Sequence, residues 1–158
     1  MAISMKEMLK DKKLEDLPEE HQANVLIVFD KINKVREKYG KPMTPTSVYR
    51  SLAEHLAIYA KKGITDKKLI PMGSGHLRGE CVDIADPKGE LRDWVLKNLD
   101  FVQELGFWFE DFRYTKGWVH FSIKPPTSNK RIFVPFSGPV PNPELWGGQY
   151  DSKYDKIK

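Results

Sequence analysis

Trp118-Val119-His120-Phe121-Ser122-Ile123 decides how this chain is read. Val119, Phe121 and Ile123 are all apolar, while Trp118, His120 and Ser122 fall between them. Successive side chains of a strand point to opposite faces, so the stretch predicts a β-strand with one core face and one face open to chemistry. Phe107-Trp108-Phe109-Glu110-Asp111 repeats the pattern, with Phe107 and Phe109 apolar and Trp108 and Glu110 opposite. A short connection containing Gly117 joins the two. If they pair with their apolar faces coincident, Glu110 lies on the face of His120. Farther back, residues 81–86 predict a short strand with Val82 and Ile84 toward the core and Asp83 on the other side. Three separate segments thus place a histidine or a carboxylate on the non-core face.

Helices surround these strands. Val25, Val28, Phe29, Ile32, Val35 and Tyr39 recur at three- and four-residue steps, which predicts a helix over 19–39, stopped by Gly40-Lys41-Pro42. Thr44 to Arg50 leans toward β structure. Ser51, with Glu54 three positions on, has the form of a capping box opening a second helix over 52–62, ended by Gly63. A third helix is expected over 88–104, ending near Gly106. After Pro125-Pro126 the chain reads as extended and turn-rich through Ile132-Phe133-Val134-Pro135. The expectation is an α+β fold: one domain over 1–158, its core about 19–135, a small antiparallel sheet carrying the site, helices packed around it, and 136–158 a wrapping tail.

Composition sets the outer limits. At 158 residues, 40% hydrophobic and 30% charged, the chain fits one domain with a real core. No run approaches the ~18 apolar residues of a membrane span, and Met1-Ala2-Ile3-Ser4-Met5-Lys6 lacks the form of a signal peptide, so no membrane association and a cytoplasmic location are expected. A single cysteine excludes an internal disulfide and any multi-thiolate metal site. The net charge of +4 suits anionic polymers, but the lysines are scattered and no basic helix, aromatic RNA-binding motif or Cys/His finger is present, so no nucleic-acid partner is expected.

The chemistry concentrates in Ser74-Gly75-His76-Leu77-Arg78-Gly79-Glu80-Cys81-Val82-Asp83 together with His120. His76, Asp83 and His120 are ligand types that suit zinc (Zn2+), and three protein ligands leave the fourth position to water. Each also has an ordinary structural explanation: His76 as a loop histidine, His120 as a satisfied core histidine, Asp83 as a turn or cap residue, Gly75 and Gly79 as the makings of a tight bend, Trp108 and Trp118 as packing. All of these explanations must hold at once to dismiss the site. His21 and His55 read as surface residues, and Cys81 as a small buried hydrophobe.

The pattern Ser74-x-His76-x-x-Gly79-x-Cys81-x-Asp83, followed by Trp118-x-His120, resembles the zinc-dependent D-alanyl-D-alanine peptidases of the M15 type, which include phage endolysins and cell-wall carboxypeptidases. Cys81 stands where that pattern commonly has alanine. Thr46-Ser47-Val48-Tyr49-Arg50-Ser51 resembles the family's stretch upstream of the metal motif, and Pro125–Pro135 resembles the ending of phage-encoded members. The resemblance implies a fold like that of Hedgehog and the DD-peptidases, with zinc held by His76, Asp83 and His120. It implies hydrolysis of a peptide bond in peptidoglycan stem peptides, by a D-Ala-D-Ala carboxypeptidase or an endolysin-type endopeptidase. It also implies that Arg50 contacts substrate. Many members carry the general base three residues before the second zinc histidine, where this chain has Gly117. Strand alternation makes Glu110 the candidate, with Asp111 second. The expected protein is a monomer, held in the host cytoplasm until release to the wall or carried on a virion. The other reading is a non-catalytic, zinc-containing wall-binding or phage structural protein.

Overall fold

The computed structural model describes residues 2–70, 74–126 and 129–133. Among these residues five α-helices, α1 (Met5–Leu9), α2 (Glu19–Tyr39), α3 (Leu52–Lys61), α4 (Glu90–Lys97) and α5 (Leu99–Glu104), accompany five strands, β1 (Pro45–Ser47), β2 (Cys81–Asp86), β3 (Trp108–Glu110), β4 (Gly117–Ser122) and β5 (Ile132–Phe133). The fold is α+β, and the strands form one sheet in the order β1-β2-β4-β3-β5. The expected tail over 136–158 lies outside the described residues.

Alternation built the sheet as the sequence predicts. Val82 and Ile84 of β2, Phe109 of β3, and Val119 and Phe121 of β4 are wholly buried, and α2 contributes Val25, Val28, Ile32 and Val35 to the same cluster. The rings of Phe107 and Phe109 each stand 5.1 Å from Phe121 in edge-on contact, a geometry that adds ~0.5–1.5 kcal/mol per pair to the burial itself. The buried cluster begins at Ile3, with Met8 and Leu9 of α1 inside it, so the core reaches back beyond the expected start at residue 19.

The local signals behave as expected at the ends of α2 and α3. Gly40 closes α2 in the left-handed conformation, at φ 76°. Ser51 and Glu54 form the reciprocal capping box of α3. Two expectations need correction. The single helix over 88–104 is two helices broken at Asn98, whose side-chain amide donates to the Trp94 carbonyl at 2.8 Å and so competes with the helical ladder. The sheet is mixed rather than antiparallel throughout, because β5 runs parallel to β3. Arg131 helps set that return: its guanidinium lies 4.2 Å from the Trp108 ring centre and it donates to the Phe107 carbonyl at 2.7 Å.

Phe121 sits at the centre of the aromatic cluster, so Phe121→Ala should cost about 3–5 kcal/mol. Urea unfolding followed by circular dichroism checks this; a loss below ~1 kcal/mol is inconsistent with the cluster as the centre of the core.

Candidate metal centre

Pairing of β2 with β4 sets Asp83 directly across from His120. Both project from the face opposite Val82, Ile84, Val119 and Phe121. Asp83 Oδ1 lies 2.7 Å from His120 Nδ1, and Asp83 Oδ2 lies 3.2 Å from His76 Nε2. The two imidazole rings are 5.4 Å apart, edge to face. All three side chains are at least 86% shielded, with relative exposures of 4% for His76, 14% for Asp83 and 8% for His120. The three residues predicted as metal ligands therefore meet at one point.

His76 arrives from a turn rather than a strand. Residues Gly75–Leu77 form one turn of 3-10 helix, capped by Ser74, whose hydroxyl accepts from the His76 backbone N–H at 3.3 Å. Two further bonds clamp this turn to the segment after β1. The His76 ring donates through Nδ1 to the Val48 carbonyl at 2.9 Å, and the Arg50 backbone N–H donates to the His76 carbonyl at 2.9 Å. The first of these orients the ring and turns Nε2 toward Asp83, as orienting bonds around metal-binding histidines do. Gly79 closes the turn at φ 73°, and a Cβ there would stand 2.5 Å from Val25 Cγ2 of α2, so no other residue fits without moving that helix.

Glu110 stands beside this group on β3. Its Oε1 lies 3.7 Å from His120 Nε2, on the ring edge away from Asp83, and its side chain is 24% exposed. The expected sharing of a face by Glu110 and His120 is what the β3–β4 register produces. Asp111, by contrast, faces the other way, is fully buried, and accepts from Arg113 Nε at 2.9 Å, so it lies outside the site. Gly117 begins β4 at φ 96° and brings no side chain.

Arg50, in the segment between β1 and α3, adjoins the His76 turn through its backbone bond to the His76 carbonyl. It donates through Nη1 to His55 Nδ1 at 3.2 Å, and its buried Nε has no hydrogen-bond partner among the described residues. The reading of His55 as a surface residue is therefore corrected: it is wholly buried, with its ring 5.1 Å from that of Tyr59 one turn along α3. His21 is half-buried and shares a hydrogen bond of 3.1 Å with the Tyr49 hydroxyl.

Cys81 is the residue that sequence reasoning undervalued. It is fully buried, and its sulfur joins the donor atoms of His76 and His120 in a group lying within 4.8 Å of one another. Its place was legible, since Cys81 and Asp83 are two apart on one strand and so share a face. Burial first, then the charges of Asp83 and Glu110, push its thiol well above the usual range, so it is no free thiolate nucleophile.

The charges explain one another. Burial opposes ionisation of Asp83, but His120 and then His76 hold its carboxyl well below the usual range. Burial likewise opposes charging of His120, yet Glu110 and Asp83 together raise it to about 9. A divalent metal suits the chemistry of this donor set, two imidazole nitrogens and a carboxylate; here each Asp83 oxygen faces a different histidine, Oδ1 toward His120 and Oδ2 toward His76. Comparison with protein-family models, curated proteins and solved structures finds no match for this chain.

The metal-free protein should show these charges in its stability. His120 is raised from 6.5 to about 9, so its contribution is complete below pH 6.5 and is lost as pH climbs through 9. Asp83 is lowered from 3.8, so its contribution is present above that pH and is lost on acidification. The melting temperature of metal-free protein should therefore fall between pH 6.5 and 9, and Glu110→Gln should shrink the fall by removing the largest charge that raises His120. Melting curves across that range test it; a slope unchanged in Glu110→Gln overturns the assignment.

Proposed function

We propose that the chain is a zinc-dependent hydrolase acting on a peptide bond of peptidoglycan stem peptides. The observation that carries the hydrolytic reading is the meeting of His76, Asp83 and His120 on one sheet face, with a second carboxylate, Glu110, beside them. The choice of peptidoglycan rests on the resemblance of residues 74–83 and 118–120 to the D-alanyl-D-alanine peptidases. A phage lysis enzyme or a virion-borne wall hydrolase fits that choice. No helix among the described residues is long and apolar enough to cross a membrane.

In this reading His76, His120 and Asp83 would hold the zinc. When bound, zinc would polarise the scissile carbonyl and lower the pKa of a water to ~7. Glu110 would move the proton from the attacking water to the leaving amine, provided that substrate binding brings it from the Nε2 edge of His120 round to the water. Arg50 would bind a substrate carboxylate or the scissile carbonyl, which a guanidinium fork does well. His55 holds the guanidinium in place from behind.

A second reading is favoured by Gly117, which leaves no acid at the position many family members use. On it, the chain is a zinc-containing wall-binding or phage structural protein without catalysis. Mass spectrometry of purified peptidoglycan fragments after incubation separates the two. New free peptide termini are expected with the wild type and none with His76→Ala. Glu110→Gln should retain zinc and lose about 10²–10⁴-fold in rate. Intact fragments across several wall chemistries overturn the hydrolase reading. Full activity in Glu110→Gln overturns the role of Glu110 alone.

A further inference from the structure

We infer that Cys81 is a fourth protein donor to the same metal, so that the resting centre is held by two imidazoles, one carboxylate and one thiolate. The inference rests on the metal reading of His76, Asp83 and His120 and adds to it a ligand that the resemblance does not supply, since alanine is common at this position. Three observations carry it. The donor atoms of His76, Cys81 and His120 lie within 4.8 Å of one another. Donors around a tetrahedral zinc stand ~3.5 Å apart when one is sulfur at about 2.3 Å, so a contraction of about an ångström closes the group. Cys81 and Asp83 alternate onto the same face of β2, which aims the thiol at the side of the sheet where the other donors gather. Gly75 leaves the space for it, because a Cβ at that position would stand 3.3 Å from the Cys81 sulfur.

The chemistry is a simple exchange. The sulfur–metal bond forms, the thiol proton leaves to solvent, and no oxidation state changes. A bound metal supplies the charge that a buried thiolate otherwise lacks. The thiolate also shifts the site toward softer divalent ions such as zinc and cobalt over magnesium or calcium. Zinc can expand from four donors to five, so a thiolate ligand would still leave a position for water in the hydrolysis proposed above.

Cobalt is the probe, because a thiolate bound to Co2+ gives a near-ultraviolet charge-transfer band and the d–d bands in the visible report cobalt itself. Cys81 is the chain's single cysteine, so any such band belongs to it. The expected result for the Co2+-loaded wild type is both sets of bands. Cys81→Ala and Cys81→Ser should keep the visible bands, lose the near-ultraviolet one, and bind cobalt about tenfold or more weakly, as even loss of an orienting neighbour costs 10–100-fold. Visible bands that vanish in His76→Ala, without a charge-transfer band in the wild type, overturn the Cys81 ligand and leave the metal site standing. No cobalt bands in any form overturn the metal site as well. The presence or absence of the near-ultraviolet band in the wild type decides the Cys81 ligand by itself, so that decision does not depend on how a variant folds.

Discussion

Everything at the candidate centre depends on one register, the antiparallel pairing of β2 with β4 that sets Asp83 across from His120. Because side chains alternate with a period of two, a slip of one residue would exchange the faces: Val82 and Ile84 would turn to the outer side and Asp83 into the core. The fully buried apolar positions on both strands therefore hold the polar group in place without touching it. A carboxylate and an imidazole end 2.7 Å apart because the four buried apolar side chains behind them, Val82, Ile84, Val119 and Phe121, hold this register.

The second constraint comes from outside the sheet. His76 belongs to a short turn that strand pairing does not position, and its geometry depends on the clamp with the segment after β1. One bond, from its ring to the Val48 carbonyl, orients the imidazole. The other, from the Arg50 N–H to its carbonyl, ties the turn to the residue that presents the guanidinium. The same clamp thus sets the distance between the candidate metal donors and the candidate anion contact. Gly79 allows the turn to lie against α2, where Val25 passes close enough to exclude any side chain. The long helix, the turn and the sheet meet at that point, so the core and the site are parts of one packing solution.

Much of this was legible in the residues. Alternation in 107–111 and 118–123 foretold that Glu110 and His120 share a face, because a strand's period is a local property that survives folding. The helix over 19–39 and the capping box at Ser51 followed from equally local rules. His55 was not legible: a histidine on a short helix looks solvated until the segment before it folds back and Arg50 takes its ring nitrogen. The same holds for β5, two residues long, whose parallel pairing with β3 is a contact across more than twenty positions. Cys81 lay between these cases. Its face was readable from Asp83, but its closeness to two imidazoles was not.

The sequence by itself determined the periodicities, the caps, the two apolar-faced strands and the three candidate ligands, since each depends on residues a few positions apart. Only the tertiary structure decided which donors meet. It brought Asp83 between two imidazoles from distant segments, placed Glu110 beside His120 and turned Asp111 away. It also buried His55 behind Arg50 and drew the Cys81 thiol into the group. Those outcomes depend on register and on the packing of long-range neighbours, and local patterns restrict such arrangements without choosing among them.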